Sequence, residues 1–153
     1  MVKINWYVCK DVGWCDLFKI DINHRAVVKE YGIYIVWKGT GVDGSRIILS
    51  VGQGFIREEI LKLREDDKIK GENEYGIFMT WSKLPEYHLN GVEVYLNEKF
   101  KPKFKKKKLP DENPKKAELP WDDSDDSIAF EQMDFDAGNE GQGGEDTTTK
   151  LPF

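Results

Sequence analysis

Two strand-like segments, joined by a glycine-rich loop and followed at once by a helical repeat, most strongly limit the folds open to this chain. Residues 31–38 (YGIYIVWK) and 46–51 (RIILSV) are rich in aromatic and β-branched residues, and three glycines lie between them. Because the connecting loop is short, the two strands should pair antiparallel. Three apolar residues with helical spacing then predict a helix over residues 55–66 with one buried face: Ile56, Ile60 and Leu63.

The remaining pattern completes a small domain. Gly52 and Gly54 are predicted to end the second strand, and residues 75–84 (YGIFMTWSKL) read as a third strand. Gly91 should open a second helix that Pro102 ends. The sequence therefore predicts an α+β fold of order β-β-α-β-α, with a central, mostly antiparallel three-stranded sheet and packed helices.

Charge divides the chain into two unlike parts. The chain has 153 residues, 39% of them apolar, which suffices for one modest core. Residues 122–153 hold ten acidic side chains and a single lysine, so residues 1–121 carry a net charge of +4 out of the overall -5. Residues 122–153 have too few apolar side chains for burial to offset the conformational entropy lost on ordering, so they are predicted to form a disordered acidic tail. The tail follows a predicted domain of residues 1–121, whose core is at 31–104.

Several function classes are disfavoured by simple features. No apolar run approaches the roughly 20 residues of a membrane span, and the first residues lack the apolar core of a signal peptide. We therefore expect a soluble, cytoplasmic protein with no membrane partner. Cys9 and Cys15 have no histidine at ligand-like spacing, so buried or free thiols are expected rather than a zinc site.

A basic segment, residues 99–116, contains nine lysines and two acidic residues, a local net charge of +7. Such a segment, with Phe100 and Phe104 among its lysines, would attract a phosphate backbone by counterion release. A solvated, flexible segment and a partner for the acidic tail are together equally consistent with this pattern. The candidate nucleic-acid contacts are Lys99, Lys101, Lys103, Lys105, Lys106, Lys107 and Lys108.

These motifs together resemble the GIY-YIG endonuclease superfamily. The resemblance rests on Gly32-Ile33-Tyr34 in the first strand, on VGQG at 51–54, and on GVEVYL at 91–96 with Pro102 downstream. With LPW at 119–121, these features are similar to those of small GIY-YIG-like proteins of bacteria and phages. The resemblance implies a metal-dependent endonuclease domain, with Gly32, Gly52 and Gly54 as motif positions.

The resemblance also implies roles for individual residues. Tyr34 corresponds to the tyrosine whose hydroxyl activates or positions the attacking water. Glu93 corresponds to the glutamate that binds one divalent metal ion, for which a carboxylate oxygen suits Mg²⁺ or Mn²⁺. The alternative interpretation gives these residues no role in function: Tyr34 and Trp37 would be ordinary sheet residues, and Glu93 would be an ordinary surface glutamate.

The chain departs from the family pattern at two positions. Ser50 stands where the second tyrosine is expected, and Glu59 stands where the family has an arginine that steadies negative charge on the phosphate. Arg57 is the nearest substitute, but two helical positions are about 200° apart, so it reaches the site only if the helix starts at a shifted position.

Three functions follow from these features. The first is a DNA endonuclease in which Tyr34 positions water, Glu93 holds the metal, and Arg57 or a lysine from 99–108 supplies the positive charge. Its activity would be weakened or lost because of Glu59. The second is a nucleic-acid-binding module without catalysis, with DNA the favoured ligand. The third is a protein-interaction module: the acidic tail ending in Pro152-Phe153 loosely resembles the tails of bacterial single-stranded-DNA-binding proteins, and it could equally mask the basic segment.

Overall fold

The computed structural model describes residues 1–10 and 13–121, which form a mixed α+β structure. No helix within these residues is both long enough and apolar enough to cross a membrane. The predicted disorder of residues 122–153 lies outside the described residues. In chain order the elements are β1 (Cys15–Asp16), α1 (Arg25–Val28), β2 (Tyr31–Gly39), β3 (Arg46–Phe55), α2 (Ile56–Glu65), α3 (Asp67–Lys70), β4 (Ile77–Lys83) and α4 (Glu86–Phe100).

The sheet has four strands in the order β1-β4-β2-β3, and all neighbours pair antiparallel. The antiparallel prediction is confirmed, but the predicted number of three strands was wrong. The additional strand, β1, is two residues long and exists because Cys15 and Asp16 pair with Met79 and Phe78 of β4. Strand β2 therefore lies inside the sheet, and β3 forms one of its edges.

Gly52 and Gly54 do not end the second strand, contrary to prediction. Strand β3 continues to Phe55, and its two glycines pair with Tyr34 and Gly32 of β2. Strand pairing along the whole of β2 overrides the low strand propensity of glycine. Gly32 is itself required by close approach, because a Cβ there would collide with the carbonyl oxygen of Ser82 in β4.

Helices cover both faces of the sheet. The predicted helix over 55–66 is confirmed as α2, whose Ile56, Ile60 and Leu63 are buried against one face together with Tyr34. Helix α4 packs on the opposite face through buried apolar residues such as Val92. The side chains of a strand alternate between these two faces, but an irregularity opposite Val36 and Trp37 shifts this alternation in β3, so Leu49 contacts the α2 layer and Val51 the α4 layer.

Helix α4 differs from the prediction at its start. It begins at Glu86, five residues before Gly91, and it ends at Phe100, two residues before Pro102 as expected. Gly91 is a buried residue in the interior of the helix. A Cβ at this position would lie 2.6 Å from Cγ of Lys115. Its missing side chain makes room for the segment that follows the helix.

The two cysteines form a disulfide, so the expectation of buried or free thiols was wrong. Cys9 and Cys15 are joined, with their Cα atoms 5.1 Å apart. Cys15 is fully buried in the core on the α2 face, and Cys9 forms an antiparallel bridge with Gly13. The bond ties the N-terminal segment to the sheet at β1.

Candidate functional site at the edge of strand β3

The candidate site surrounds Gly52, near the outer edge of the sheet. Gly52 has no side chain, and a Cβ built on it would lie 2.7 Å from the hydroxyl oxygen of Tyr34 and 2.9 Å from Nζ of Lys106. The phenol and the ammonium group thus share the space that a larger residue would fill. Gly52 lies on the face of the sheet that Tyr34 and α2 occupy.

Tyr34 donates a hydrogen bond to Glu59. The distance from its Oη to Oε1 of Glu59 is 2.8 Å, and the tyrosine is only 3% exposed. Burial raises the pKa of Tyr34 well above its ordinary value, and the negative charge and hydrogen bond of Glu59 raise that pKa further. The phenol is therefore a neutral proton donor at physiological pH, even though the nearby Ser50 side chain acts in the opposite direction on its pKa.

Gly54 provides the room for the Glu59 carboxylate. A Cβ at Gly54 would lie 2.8 Å from Oε2 of Glu59. Glu59 comes from the first turns of α2, and its side chain is 17% exposed. Its second partner is the well-exposed Lys62, at 3.3 Å. The two glycines of VGQG thus clear the space for Tyr34 and Glu59, respectively.

Glu93 is buried beside this cluster, although it belongs to the helix on the other face. It is 2% exposed, so it is not an ordinary surface glutamate. Its Oε1 accepts a hydrogen bond of 2.8 Å from Nε2 of Gln53, and its Oε2 accepts one of 2.9 Å from Nζ of Lys106. The same Gln53 amide also lies 2.8 Å from Oδ1 of Asn90. A buried carboxylate needs such donors, because desolvation of an unpaired charge is costly.

Lys106 reaches Glu93 because the basic segment is docked along β3. The backbone N–H groups of Lys103 and Phe104 donate to the carbonyl oxygens of Ile48 and Leu49, both at 2.9 Å. Partly buried Phe104 packs against the core on the α2 face. At least this stretch of the segment is held in place by the protein, rather than being freely solvated.

An ion-pair triad holds the same segment. Glu72 accepts from Nζ of Lys103 at 2.6 Å and from Nζ of Lys38 at 2.7 Å. The hydrogen bond from Lys103, then that from Lys38, holds the pKa of Glu72 below its usual value. Lys103, one of the predicted nucleic-acid contacts, is thus engaged with the protein itself.

Five further lysines of the segment are presented to solvent. Lys99, Lys101, Lys105, Lys107 and Lys108 are exposed, and none of them forms an ion pair with another described residue. A surface cavity of about 320 Å³ adjoins the site. It is lined by Asn97, Glu98, Lys101, Lys105, Lys106 and Leu109.

Of the residues that the sequence singled out, Tyr34 and Glu93 meet at this edge. Tyr34 contacts Glu59, Glu93 contacts Lys106, and the hydroxyl of Tyr34 and the ammonium of Lys106 both adjoin Gly52. Arg57 is not brought to them: across the described residues, no hydrogen bond or ion pair joins it to this cluster. The start of α2 at Ile56 directs Glu59 to Tyr34 instead.

Sequence reasoning did not single out Gln53, and it did not separate Lys106 from its neighbours. A polar residue between two glycines, in the run VGQG, was the available signal for Gln53. Nothing in a run of four lysines distinguishes Lys106 from Lys105, because only the path of the docked segment selects it.

A divalent cation at Glu93, which the family resemblance implies, does not fit the donors as they stand. Both carboxylate oxygens of Glu93 already accept hydrogen bonds, one from the positively charged Lys106. Over residues 1–10 and 13–121, no group of three or more His, Cys, Asp or Glu side chains is arranged to hold a metal ion. A cation would have to displace Lys106 before it could bind Glu93.

Comparison of the chain with protein-family models, with curated proteins and with solved structures found no match. The site must therefore be interpreted from its own geometry.

Proposed function

We propose that this chain is a GIY-YIG-like domain that binds nucleic acid, with DNA favoured, and in which metal-dependent phosphodiester hydrolysis is weakened or lost. The observation that carries the proposal is the state of Glu93. This carboxylate is buried and bound by Gln53 and by Lys106, so a lysine of the basic segment occupies the place of the expected cation.

Binding is supported by the way in which the basic segment is presented. Backbone hydrogen bonds to β3 and the pairing of Lys103 with Glu72 order part of the segment in advance. A ligand then loses less free energy to ordering the protein than it would on a flexible tail. The exposed lysines beside the cavity supply the positive charge that a phosphate backbone requires.

Weak hydrolysis is supported by Glu59. Charge that develops on a phosphate in the transition state needs a positive partner, and loss of one such partner typically costs about 3–4 kcal/mol, or 10²- to 10³-fold in rate. A carboxylate at this position disfavours hydrolysis more than a neutral side chain would, because it repels the negatively charged phosphate. Two like charges about 4 Å apart repel by about 4 kcal/mol at an effective dielectric constant of 20. Glu59 is held at this place by its hydrogen bond with Tyr34.

The binding half of the proposal is tested by fluorescence anisotropy with a labelled DNA, repeated over a range of salt concentrations. Replacing Lys101 and Lys105 by Gln should weaken binding and reduce the slope of log K against log salt by about 0.9 for each phosphate that the variant no longer neutralises. The matched control replaces two exposed lysines outside the segment, Lys19 and Lys29, by Gln. Equal losses of affinity for both pairs would show that only the net charge matters and would count against a site.

The catalytic half is tested with supercoiled plasmid in magnesium or manganese. The wild type should nick the plasmid little or not at all above the level of Glu93→Gln, a variant that keeps the shape of the side chain. Rapid and complete nicking by the wild type that Glu93→Gln abolishes would refute the weakening or loss of hydrolysis.

A metal-dependent nuclease is the second candidate, and one specific observation favours it. Tyr34 and Lys106 lie around the same glycine, so a phenol that could position the substrate and a positive charge are already close together. In that case, Lys106 would leave Glu93 when DNA binds and would take the role that the resemblance gives to an arginine. Replacing Lys106 by Met should then abolish nicking, whereas Lys107→Met should not.

A further inference from the structure

Two exposed aromatic residues lie at the open end of the β2–β3 hairpin, opposite its connecting loop and next to the site. Tyr31 and Phe55 are directly opposite each other in the strand register, and they are 39% and 50% exposed. Most of the remaining residues of β2 are buried. Tyr31 is therefore an exception to the burial of apolar side chains in β2, and Phe55 stands exposed beside it at the end of β3.

The two rings meet edge to face. Their centroids are 4.9 Å apart, and their planes are inclined at 89°. In such a perpendicular pair, one ring covers only one face of the other, and its own two faces are not covered by its partner. The pair thus stabilises its own orientation and still presents flat apolar surface for a planar ligand.

A chain of polar contacts connects this pair to the basic segment. The hydroxyl of Tyr31 lies 3.4 Å from Oε1 of Gln53, whose Nε2 donates to Glu93. Glu93 in turn accepts from Lys106. The rings, the Gln53 amide and the Lys106 ammonium group are therefore linked through the buried carboxylate of Glu93 and lie close together at this end of the sheet.

This order of groups matches the chemistry of a nucleotide. A base stacks on an aromatic ring, amides such as those of Gln53 and Asn90 hydrogen-bond to base edges, and ammonium groups bind the phosphate. Within a duplex the faces of the bases are covered by their neighbours, so only an unpaired base can use the rings. Two rings are also far too little surface for a stable protein partner, which needs more than about 1,000 Å².

We infer that Tyr31 and Phe55 form a stacking platform for an unpaired base, so that the ligand of this domain is single-stranded DNA or a single-stranded stretch within a duplex. The inference rests on the proposed nucleic-acid binding and names the form of DNA that the site selects. It assigns the phosphate contacts to the lysines and the selectivity to the rings.

The experiment compares a single-stranded and a duplex oligonucleotide of equal length, each carrying 2-aminopurine, whose fluorescence is quenched by stacking. Phe55→Leu and Tyr31→Leu keep apolar side chains but remove the ring faces, whereas Tyr31→Phe keeps the ring and removes only the hydroxyl. Tyr75→Leu is the control, because Tyr75 is also exposed but packs against Gly39, at the opposite end of β2.

The wild type should bind the single strand more tightly and change its 2-aminopurine signal. Phe55→Leu and Tyr31→Leu should each weaken single-strand binding by roughly 5- to 100-fold, the range expected for one stacked base. Duplex affinity should be unchanged, and Tyr31→Phe and Tyr75→Leu should resemble the wild type.

Two results would overturn the inference in distinguishable ways. If the wild type binds duplex and single strand equally, and the Leu variants weaken neither, the platform is wrong while lysine-dependent binding stands. If the wild type binds neither form, the proposed function fails and the platform fails with it. Because both rings are exposed, the Leu variants should fold, and Tyr31→Phe provides a folded reference at the same position.

Discussion

The arrangement around Gly52 predicts that a single added methyl group will destabilise the protein. In Gly52→Ala the new Cβ would lie 2.7 Å from Oη and 2.9 Å from Cζ of Tyr34, whereas ordinary contacts begin at 3.4 Å. It would also lie 2.9 Å from Nζ of Lys106, the end of a flexible, 37% exposed side chain that can shift slightly more easily than the buried ring, although a large shift would break its hydrogen bond with Glu93. Tyr34 is buried and bonded to Glu59, so it cannot move without losing that hydrogen bond.

The expected cost follows from these contacts. Overpacking of a filled site costs about 1–3 kcal/mol, and a hydrogen bond to a charged acceptor contributes about 1.5–3 kcal/mol. The Tyr34 ring either stays in place and overlaps the new methyl group, or shifts and loses its hydrogen bond with Glu59. The overpacking cost and the hydrogen-bond cost therefore do not add in full. We expect a loss of about 2–4 kcal/mol in the free energy of unfolding, which lowers the urea midpoint by about 1–2 M.

A double-mutant cycle isolates the cause. Tyr34→Phe removes the atom nearest to the new methyl group, so Gly52→Ala should cost at least about 1 kcal/mol less in that background. Gly71→Ala is the control for the glycine change itself, because Gly71 has an ordinary helical φ of -68° and its nearest contact is 3.3 Å away. The same cost for Gly52→Ala in both backgrounds would refute the idea that Gly52 makes room for the Tyr34 hydroxyl.

Three further predictions concern titration and the disulfide. Burial and a neighbouring carboxylate raise the pKa of Tyr34 above its ordinary 10.0, so the folded protein keeps a proton that the unfolded chain loses. Stability should therefore fall as the pH rises above about 10, and Tyr34→Phe should remove that part of the fall in urea unfolding between pH 8 and 11; an unchanged pH slope would contradict this. Reducing the disulfide of Cys9 and Cys15 should cost about 2 kcal/mol, as expected for a short loop, and a double Cys→Ala variant should show the same loss with no response to dithiothreitol. The pKa of Glu72 is lowered, first by Lys103, so its contribution to stability should be present above pH 4.5 and disappear as the pH falls further. Lys103→Gln should flatten this acid-side change in melting temperature, and a curve identical to that of the wild type would argue against the ion pair.

Local patterns predicted the elements that depend on local residues. Helix α2 is recognisable because Ile56, Ile60 and Leu63 lie on one face of the helix, one turn apart. This spacing can be read without knowing which element packs against that face. Strand β2 is recognisable from its run of aromatic and β-branched residues. Both elements lie within one or two residues of their predicted bounds.

Elements that depend on distant partners were missed or misplaced. Cys15 and Asp16 become a strand only because β4 lies beside them. Gly91 was predicted to open a helix, yet α4 begins five residues earlier at Glu86, and the missing side chain of Gly91 makes room for Lys115. The glycines of β3 look like strand breaks until Tyr34 and Glu59 are seen in the space that they leave.

By itself, the sequence determined the strand-loop-strand-helix order, and its resemblance to a nuclease family is the sole basis for expecting a tyrosine at Ser50 and an arginine at Glu59. Only the tertiary structure decided what those residues contact. Tyr34 and Glu59 are 25 positions apart, and Glu93 and Lys106 are 13 apart, so no local periodicity relates them. They meet because Gly52, near the sheet edge, leaves room for a phenol and an ammonium group, and because the docked basic segment directs Lys106 to the buried Glu93.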